Sequence, residues 1–256
     1  MLLSVVLITK NEEANIGRTL ASVVDIADEI ILVDSGSADQ TLEIARAFGP
    51  KVKLFVEEWK GFARQKNSAI EKAGGDWILS LDADEEVSPA LQKEISQALA
   101  AEAGTNGFSV PRKNFFLGQW IRYGGFYPDR KLRLVLKKIA RFEDRAVHED
   151  IKVNGPVGEL RGALLHHAYP TLSSYLEHMN RYSSLAAEMA VTDHKHGFSV
   201  FNIVVRPCTT FVYNYFLRLG FLDGREGLLL HLYHAVYVSW KYAKIWEISR
   251  VKKSSA

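Results

Sequence analysis

Hydrophobic positions in the first hundred residues come as short, nearly continuous runs separated by longer stretches of mixed character. Leu2 to Ile8, Glu29 to Val33, Val52 to Val56 and Trp77 to Leu81 are runs of strand length, with helix-like patterns between them. Runs without polar alternation suit strands covered on both faces, and the βαβα order predicts a doubly wound, mainly parallel α/β sheet. Such sheets hold ligands at the carboxyl ends of their strands, so the residues that follow each run are the ones to examine. Two helix starts are marked there. One is Ser37-x-x-Gln40, a capping-box pattern, and the other is Ser88-Pro89, an N-cap followed by proline at the first helical position.

The pattern changes after about residue 105 to aromatics, glycines and basic residues, and Lys131 to Leu136 then alternates as KLRLVL, a half-buried strand. Leu172, Tyr175, Leu176, Met179, Tyr182, Leu185 and Met189 share one face of a helix predicted over Thr171 to Ala190. Phe198 to Trp246 is rich in aromatic and apolar residues but interrupted by Arg206, Pro207, Arg218, Asp223 and Arg225. It fits helices lying on a membrane surface or forming a lid, and equally a core-packed helical subdomain. Lys252 to Ala256 is expected to be a frayed tail.

Composition supports a packed core: 47% of the 256 residues are hydrophobic and 24% charged, which excludes disordered and fibrous classes. The net charge of +2 conceals an uneven distribution. Residues 1 to 111 carry 10 Lys and Arg against 18 Asp and Glu, whereas residues 112 to 145 carry 10 against 3 and residues 198 to 256 carry 8 against 3. A basic band beside an acidic half suits a phosphate-bearing ligand or an anionic membrane, and simple solvation of charge accounts for it equally. The single cysteine, Cys208, forms no internal disulfide, so a cytoplasmic location is expected. The N-terminus MLLSVVLITKNEE lacks a basic leader and a cleavage site and reads as a strand. The longest charge-free apolar run, Gly227 to Trp240, falls short of the ~20 residues of a membrane span.

Asp82-Ala83-Asp84 directly follows the run WILSL, which places two carboxylates at the ligand edge of the sheet. A hard divalent cation, Mg²⁺ or Mn²⁺, prefers oxygen ligands and bridges such carboxylates to a diphosphate. Glu85 and Glu86 extend the acidic stretch, so the alternative is the acidic first turn of a helix. Thr9, Asn11 and Glu12 follow the first strand and Asp34 the second, where a carboxylate accepts hydrogen bonds from a ribose or base; caps and turns are the alternative. Arg64 and Lys66 are candidates to meet diphosphate charge, and so are Arg130, Lys131 and Arg133, unless they form a solvated face. His166, with His167 as its competitor, is a candidate for a further metal or phosphate contact. His194 and His196 are assigned to a polar loop, and His231 and His234 to packing.

These segments, SVVLITKNEEANIGRTLASV, EIILVDSGSADQT, GFARQKNSAI and WILSLDADEE, resemble in order and spacing the family 2 glycosyltransferases, inverting enzymes with the A-type glycosyltransferase (GT-A) fold. The resemblance covers residues 1 to 110. It implies a donor site with Thr9, Asn11 and Glu12 near the nucleotide, Asp34 on uracil or ribose, Lys66 near base or phosphates, Asp84 on the metal, and Asp82 against ribose and metal. YGGFYPDRKLRLVLKK, RAVHEDI, LLHHAYPTLSSYLEHMNRYS and GFLDGREG are similar to the branch that adds glucose to heptose in the lipopolysaccharide core.

An inverting transfer needs a base for the attacking hydroxyl. The resemblance assigns it to Glu149, with Asp150 as the rival and a salt bridge to Arg145 or a loop cap as the structural alternative. The expected division is a donor half over 1–110, an acceptor and catalytic half over 111–170 and a C-terminal helical region over 171–256. The implied partners are a UDP-sugar, most simply UDP-glucose, a divalent metal, a glycolipid or oligosaccharide acceptor, and the inner face of the cytoplasmic membrane as a peripheral association; no nucleic acid is implied. Polyprenyl-phosphate, capsular or exopolysaccharide acceptors are the alternative within the family. A noncatalytic sugar-nucleotide or membrane module is the alternative outside enzymes. A dinucleotide oxidoreductase is disfavoured, because no G-x-G-x-x-G follows the first strand and no P-loop occurs.

Overall fold

The computed structural model describes residues 1–101, 104–143, 151, 153–192 and 198–254. In chain order the elements are β1 (Leu3–Thr9), α1 (Ile16–Ala21), β2 (Glu29–Asp34), α2 (Thr41–Arg46), β3 (Val52–Val56), α3 (Phe62–Lys72), β4 (Trp77–Asp82), β5 (Glu85–Val87), α4 (Pro89–Ala100), β6 (Gly107–Phe116), β7 (Gln119–Trp120) and β8 (Asp129–Leu136). They continue with β9 (Val157–Glu159), β10 (Leu164–Tyr169), α5 (Leu172–Thr192), α6 (Arg206–Phe211) and α7 (Gly224–Ser254). The chain forms two compact units, Met1–Lys113 with Asp129–His167, and Asn114–Pro128 with Ala168–Ala256.

The first unit is built on the strand order β3-β2-β1-β4-β8-β6-β10-β5. β3, β2, β1 and β4 run parallel, in register Thr9 with Asp34 and Ile8 with Asp82, and β8 then pairs antiparallel with both β4 and β6. The α/β architecture is the expected one. Its parallel part is the first four strands, and the second half widens the sheet mostly with antiparallel strands.

The continuous apolar runs have the anticipated cause. Leu3, Val5, Leu7, Ile30 and Leu32 pack on one side with Ile16 and Leu20 of α1 and Leu91 and Ile95 of α4, while Val6, Ile31 and Val33 pack on the other with Ala63, Ala69 and Ile70 of α3. Alternate side chains of one strand therefore enter two different cores, each full burial of an aliphatic chain contributing roughly 1.5–3 kcal/mol.

Of the two predicted helix starts, one holds. Ser88 caps α4, accepting from Leu91 N at 3.4 Å, with Pro89 at the first helical position. The Ser37 start fails: α2 begins at Thr41, and Asp39 Oδ1 accepts from Thr41 N at 3.0 Å. Ser37 is unavailable as a cap because its hydroxyl donates to Asp34 and accepts from Asn11 N at 2.8 Å. Nor do Glu85 and Glu86 open a helix; they form β5, antiparallel to β10.

The second unit is mainly helical. Tyr175 and Leu176 of α5 pack against Leu230 and Tyr233 of α7, together with Phe116 and Ile121. Lys244 of α7 donates to Asn180 Oδ1 at 2.6 Å and to Ser183 and Ser184 Oγ at 2.8 Å, tying the two helices together. The α5 stripe is shorter than expected, since Met189 is 41% exposed. Of the expected frayed tail, Lys252 to Ser254 belong to α7, and Ser255 and Ala256 lie outside the described residues.

His231 is buried against Phe126, and neither ring nitrogen has a hydrogen-bond partner among the described residues. Gly124 and Gly220 make room for it: a Cβ on either would meet the ring at 2.0 or 2.3 Å. Burial, with neighbouring His234, pushes the imidazole down from 6.5 to about 4, against the opposing pull of Asp223. The unfolded residue therefore takes up a proton between those values that the folded one refuses. The stability it supports is complete above pH 6.5 and is lost as pH falls toward 4. Thermal unfolding across that window is expected to fall less steeply in His231→Gln than in the parent; equal slopes would place the effect on other groups.

Candidate functional site

The carboxyl ends of β1, β2 and β4 lie side by side in the first unit, and the polar residues after β1 and β2 are joined by hydrogen bonds. Thr9 and Asp34 are register partners, and Ser35 N donates to Thr9 O at 2.9 Å. Thr9 Oγ1 and Ser35 Oγ are both buried and have no hydrogen-bond partner among the described residues, an arrangement that costs free energy unless a ligand supplies the partner. Asn11 sits in the left-handed region, at φ 56°, where asparagine is better tolerated than most residues. Its Oδ1 accepts from Ala38 N at 2.8 Å, so it ties the first loop to the second.

Asp34 is fully buried. Its Oδ1 accepts from Gly36 N and Ser37 N, both at 2.8 Å, and its Oδ2 from Ser37 Oγ. Gly36, at φ 84°, supplies the left-handed turn this loop needs. Three of about four acceptor positions of the carboxylate are thus used by its own loop, leaving about one for a ligand.

Asp82 is clamped between two cations. Lys66 Nζ of α3 donates to Oδ1 at 2.8 Å and Arg133 of β8 to Oδ2 at 2.6 Å. Burial works against the charge of Asp82, yet Arg133 and Lys66 hold its carboxyl well below the usual carboxylate range. Arg133 also bonds Glu85 Oε1 at 2.6 Å, Arg112 reaches the same oxygen at 3.2 Å and Asp129 at 2.7 Å, and Asp129 meets Lys131 at 3.3 Å. The result is a string of alternating sign: Lys66, Asp82, Arg133, Glu85, Arg112, Asp129, Lys131. Arg133 is therefore internal and not part of a solvated face. Arg130 fits that description better, being exposed and directed to Glu159 and to Leu160 O, both at 3.2 Å, and no contact joins it to Asp82 or Asp84.

Asp84 is held differently. Its Oδ2 lies 3.3 Å from His166 Nε2, while its backbone oxygen accepts from His167 N at 3.0 Å. Burial opposes its ionisation, but His166 keeps the carboxyl below the ordinary value against the repulsion of Asp82. His167 turns instead to Glu86 at 3.3 Å; burial and Arg18 lower its proton affinity. Glu12, half-buried after β1, is raised, first by burial and then by Asp84, Asp39 and Asp82, although Asn15 bonds to it. Glu12, Asp82 and Asp84 thus share a field of negative charge that a cation would relieve. Among the described residues no three His, Cys, Asp or Glu side chains form a metal-holding group. Asp84 and His166 suit a cation whose other positions are filled by ligand oxygens.

Glu149 and Asp150, with Arg145 and His148, lie outside the described residues, as do His194 and His196. Sequence reasoning missed Glu85 and Arg112, which complete the charge string. No local signal marked them, since Glu85 lies 27 residues from Arg112 and 48 from Arg133.

Comparison with known proteins places this architecture. The model of the glycosyl transferase family 2 matches residues 4–155. A lipopolysaccharide core biosynthesis glycosyltransferase, LpsC of Rhizobium meliloti, is 31% identical over 98% of this chain and 94% of its own length. An uncharacterized glycosyltransferase of Rickettsia typhi is 33% identical over 96% of this chain and 87% of its own. Among solved structures, the mannosyltransferase PcManGT of Pyrobaculum calidifontis in complex with GDP-Man and Mn²⁺ superposes with a TM-score of 0.57 at 15% identity, over 96% of this chain and 87% of that one. S. aureus TarS 1–349 in complex with UDP gives 0.52 at 17% identity, over 100% and 92%. Those two likenesses establish a shared fold. The family model and the near full-length relatives establish more: the chain is a member of glycosyl transferase family 2.

Proposed function

We propose that this glycosyltransferase is an inverting, metal-dependent hexosyltransferase that takes glucose from UDP-glucose and passes it to a lipopolysaccharide-core or related envelope glycolipid at the inner face of the cytoplasmic membrane. The reading is carried by the Asp84–His166 pair beside the raised carboxyl of Glu12, at the strand edge where Thr9 and Ser35 keep buried hydroxyls without partners among the described residues. The near full-length likeness to LpsC supports the acceptor class.

In this reading residues 1–110 bind the donor. Thr9, Asn11, Glu12 and Asp34 receive the nucleoside, and Lys66 and Arg133 bring positive charge close to the diphosphate while fixing Asp82 in place. Arg130, set apart from that cluster, is assigned to the acceptor channel over 111–170. Asp84, with His166, would hold a divalent cation, whose charge would be available to the departing diphosphate. Asp82 is the weaker ligand, since both its oxygens already face cations. Glu149 is the base that takes the acceptor hydroxyl proton, with Asp150 as its rival.

Calorimetric titration with UDP-, GDP- and dTDP-sugars, with Mn²⁺ and with chelator, tests the donor reading. UDP-glucose is expected to bind with Mn²⁺ and to lose most of its affinity with chelator. Equal binding in chelator would remove the metal from the site. Binding of a GDP-sugar in preference would reassign the donor.

A further inference from the structure

The second unit carries an exposed apolar stripe that neither the donor site nor the helical core uses. Phe201–Val205 and Val212–Leu217 are π-helical turns on either side of α6, so residues 200–217 run as one continuous helix. Along it, pairs of exposed residues begin at Val200, Val204, Cys208, Val212 and Phe216, four positions apart each time. All but the Cys208 pair are apolar; Phe201 is 61% exposed, Phe216 52% and Leu217 70%.

A four-residue period drifts by about 40° per step around an α-helix of 3.6 residues per turn, and would wind halfway around it over this length. The wider π turns cancel much of that drift. They keep the pairs on one outward face, and the sequence period and the unusual helix type therefore agree. The helix is tied to α7 by Ser239 Oγ, which donates to Ile203 O at 2.8 Å, and by Arg206, which bonds the Tyr242 hydroxyl. The stripe is thus turned outward, and a contiguous apolar surface of this kind marks an interaction site.

Charge selects the partner. Residues 198 to 222 contain no Asp or Glu and two Arg, Arg206 and Arg218, both exposed. A second copy docking by the same surface would set basic flanks against basic flanks. An anionic lipid surface would complement them. No described helix is long and apolar enough to cross a membrane, so the stripe lies in the interface and does not span it.

We infer that residues 200–217 form an in-plane membrane anchor, seated among the headgroups of an anionic leaflet with the exposed Phe, Val and Leu side chains as the inserted edge. The inference rests on the proposed glycolipid acceptor only for the choice of membrane.

Cys208, the only cysteine, sits midway along the stripe and is exposed, so it reports on the site directly. The full chain would be labelled there with a polarity-sensitive fluorophore and mixed with vesicles of phosphatidylcholine alone or with one third phosphatidylglycerol. The expected result is a blue-shifted emission, quenched by a lipid-borne quencher, with the anionic vesicles and weakened by salt. Phe201→Asp with Phe216→Asp is expected to lower partitioning by at least about tenfold, with circular dichroism and UDP-glucose binding unchanged. Unshifted emission in the presence of anionic vesicles would overturn the inference, as would a concentration-dependent dimer that shields Cys208 without lipid. Either of those outcomes with donor binding intact would leave the glycosyltransferase reading untouched.

Discussion

Asp84→Ala is expected to lower metal-stimulated sugar transfer by on the order of 10³-fold, the scale on which loss of one preorganised electrostatic partner acts, while leaving the protein folded. The fold survives because Asp84 stands at the sheet edge with a side chain 25% exposed, and no core side chain is removed with it. Transfer rates across a Mn²⁺ titration, with far-UV circular dichroism as the control, check this. Activity equal to the parent would detach the cation from Asp84. A loss that high Mn²⁺ restores would make Asp84 an affinity ligand only.

Arg133→Leu is expected to have the largest effect on stability, about 3–5 kcal/mol, the cost of removing one partner from a buried ion pair. The guanidinium is buried between Asp82 and the fully buried Glu85 and faces both at 2.6 Å, and its loss leaves those carboxylates, among the described residues, with Lys66 and Arg112 as their remaining cations. Urea unfolding at neutral pH measures the change. Arg133→Leu combined with Glu85→Leu should recover part of it, because the second change withdraws the stranded charge. A loss below about 1 kcal/mol in the single variant would mean that water or a neighbour solvates the carboxylates and that the string contributes little.

Much of the first unit was legible because its signals are local. The apolar runs of β1, β2 and β4 fix their own burial, and Ser88-Pro89 caps α4 through atoms three residues away. Ser37 misled for a physical reason: a hydroxyl that suits a cap also suits the carboxylate of Asp34, and the β-loop competition was decided by Asn11, 26 residues away. Glu85 was beyond reach of any window, since its meaning comes from Arg133, 48 residues on, in a strand with which β5 does not pair. Asp84 and His166 were both picked as candidates and the fold brings them together; Arg130 was picked beside Arg133, and the pleat sends the two apart. The stripe in the second unit was hidden by its period, since four fits neither the helical nor the strand repeat and emerges only with the π turns.

The alternating string from Lys66 to Lys131 also bears on how such a sequence drifts. Each inner member is balanced by two neighbours of opposite sign, so a lone change of sign is penalised twice, and reversing an adjacent inner pair still sets each of the two against its outer neighbour. Inheritance along this lineage should therefore keep these signs or replace the string as a whole, and a chimera that takes α3 from one relative and β8 from another would inherit a mismatch wherever the two parents differ in sign.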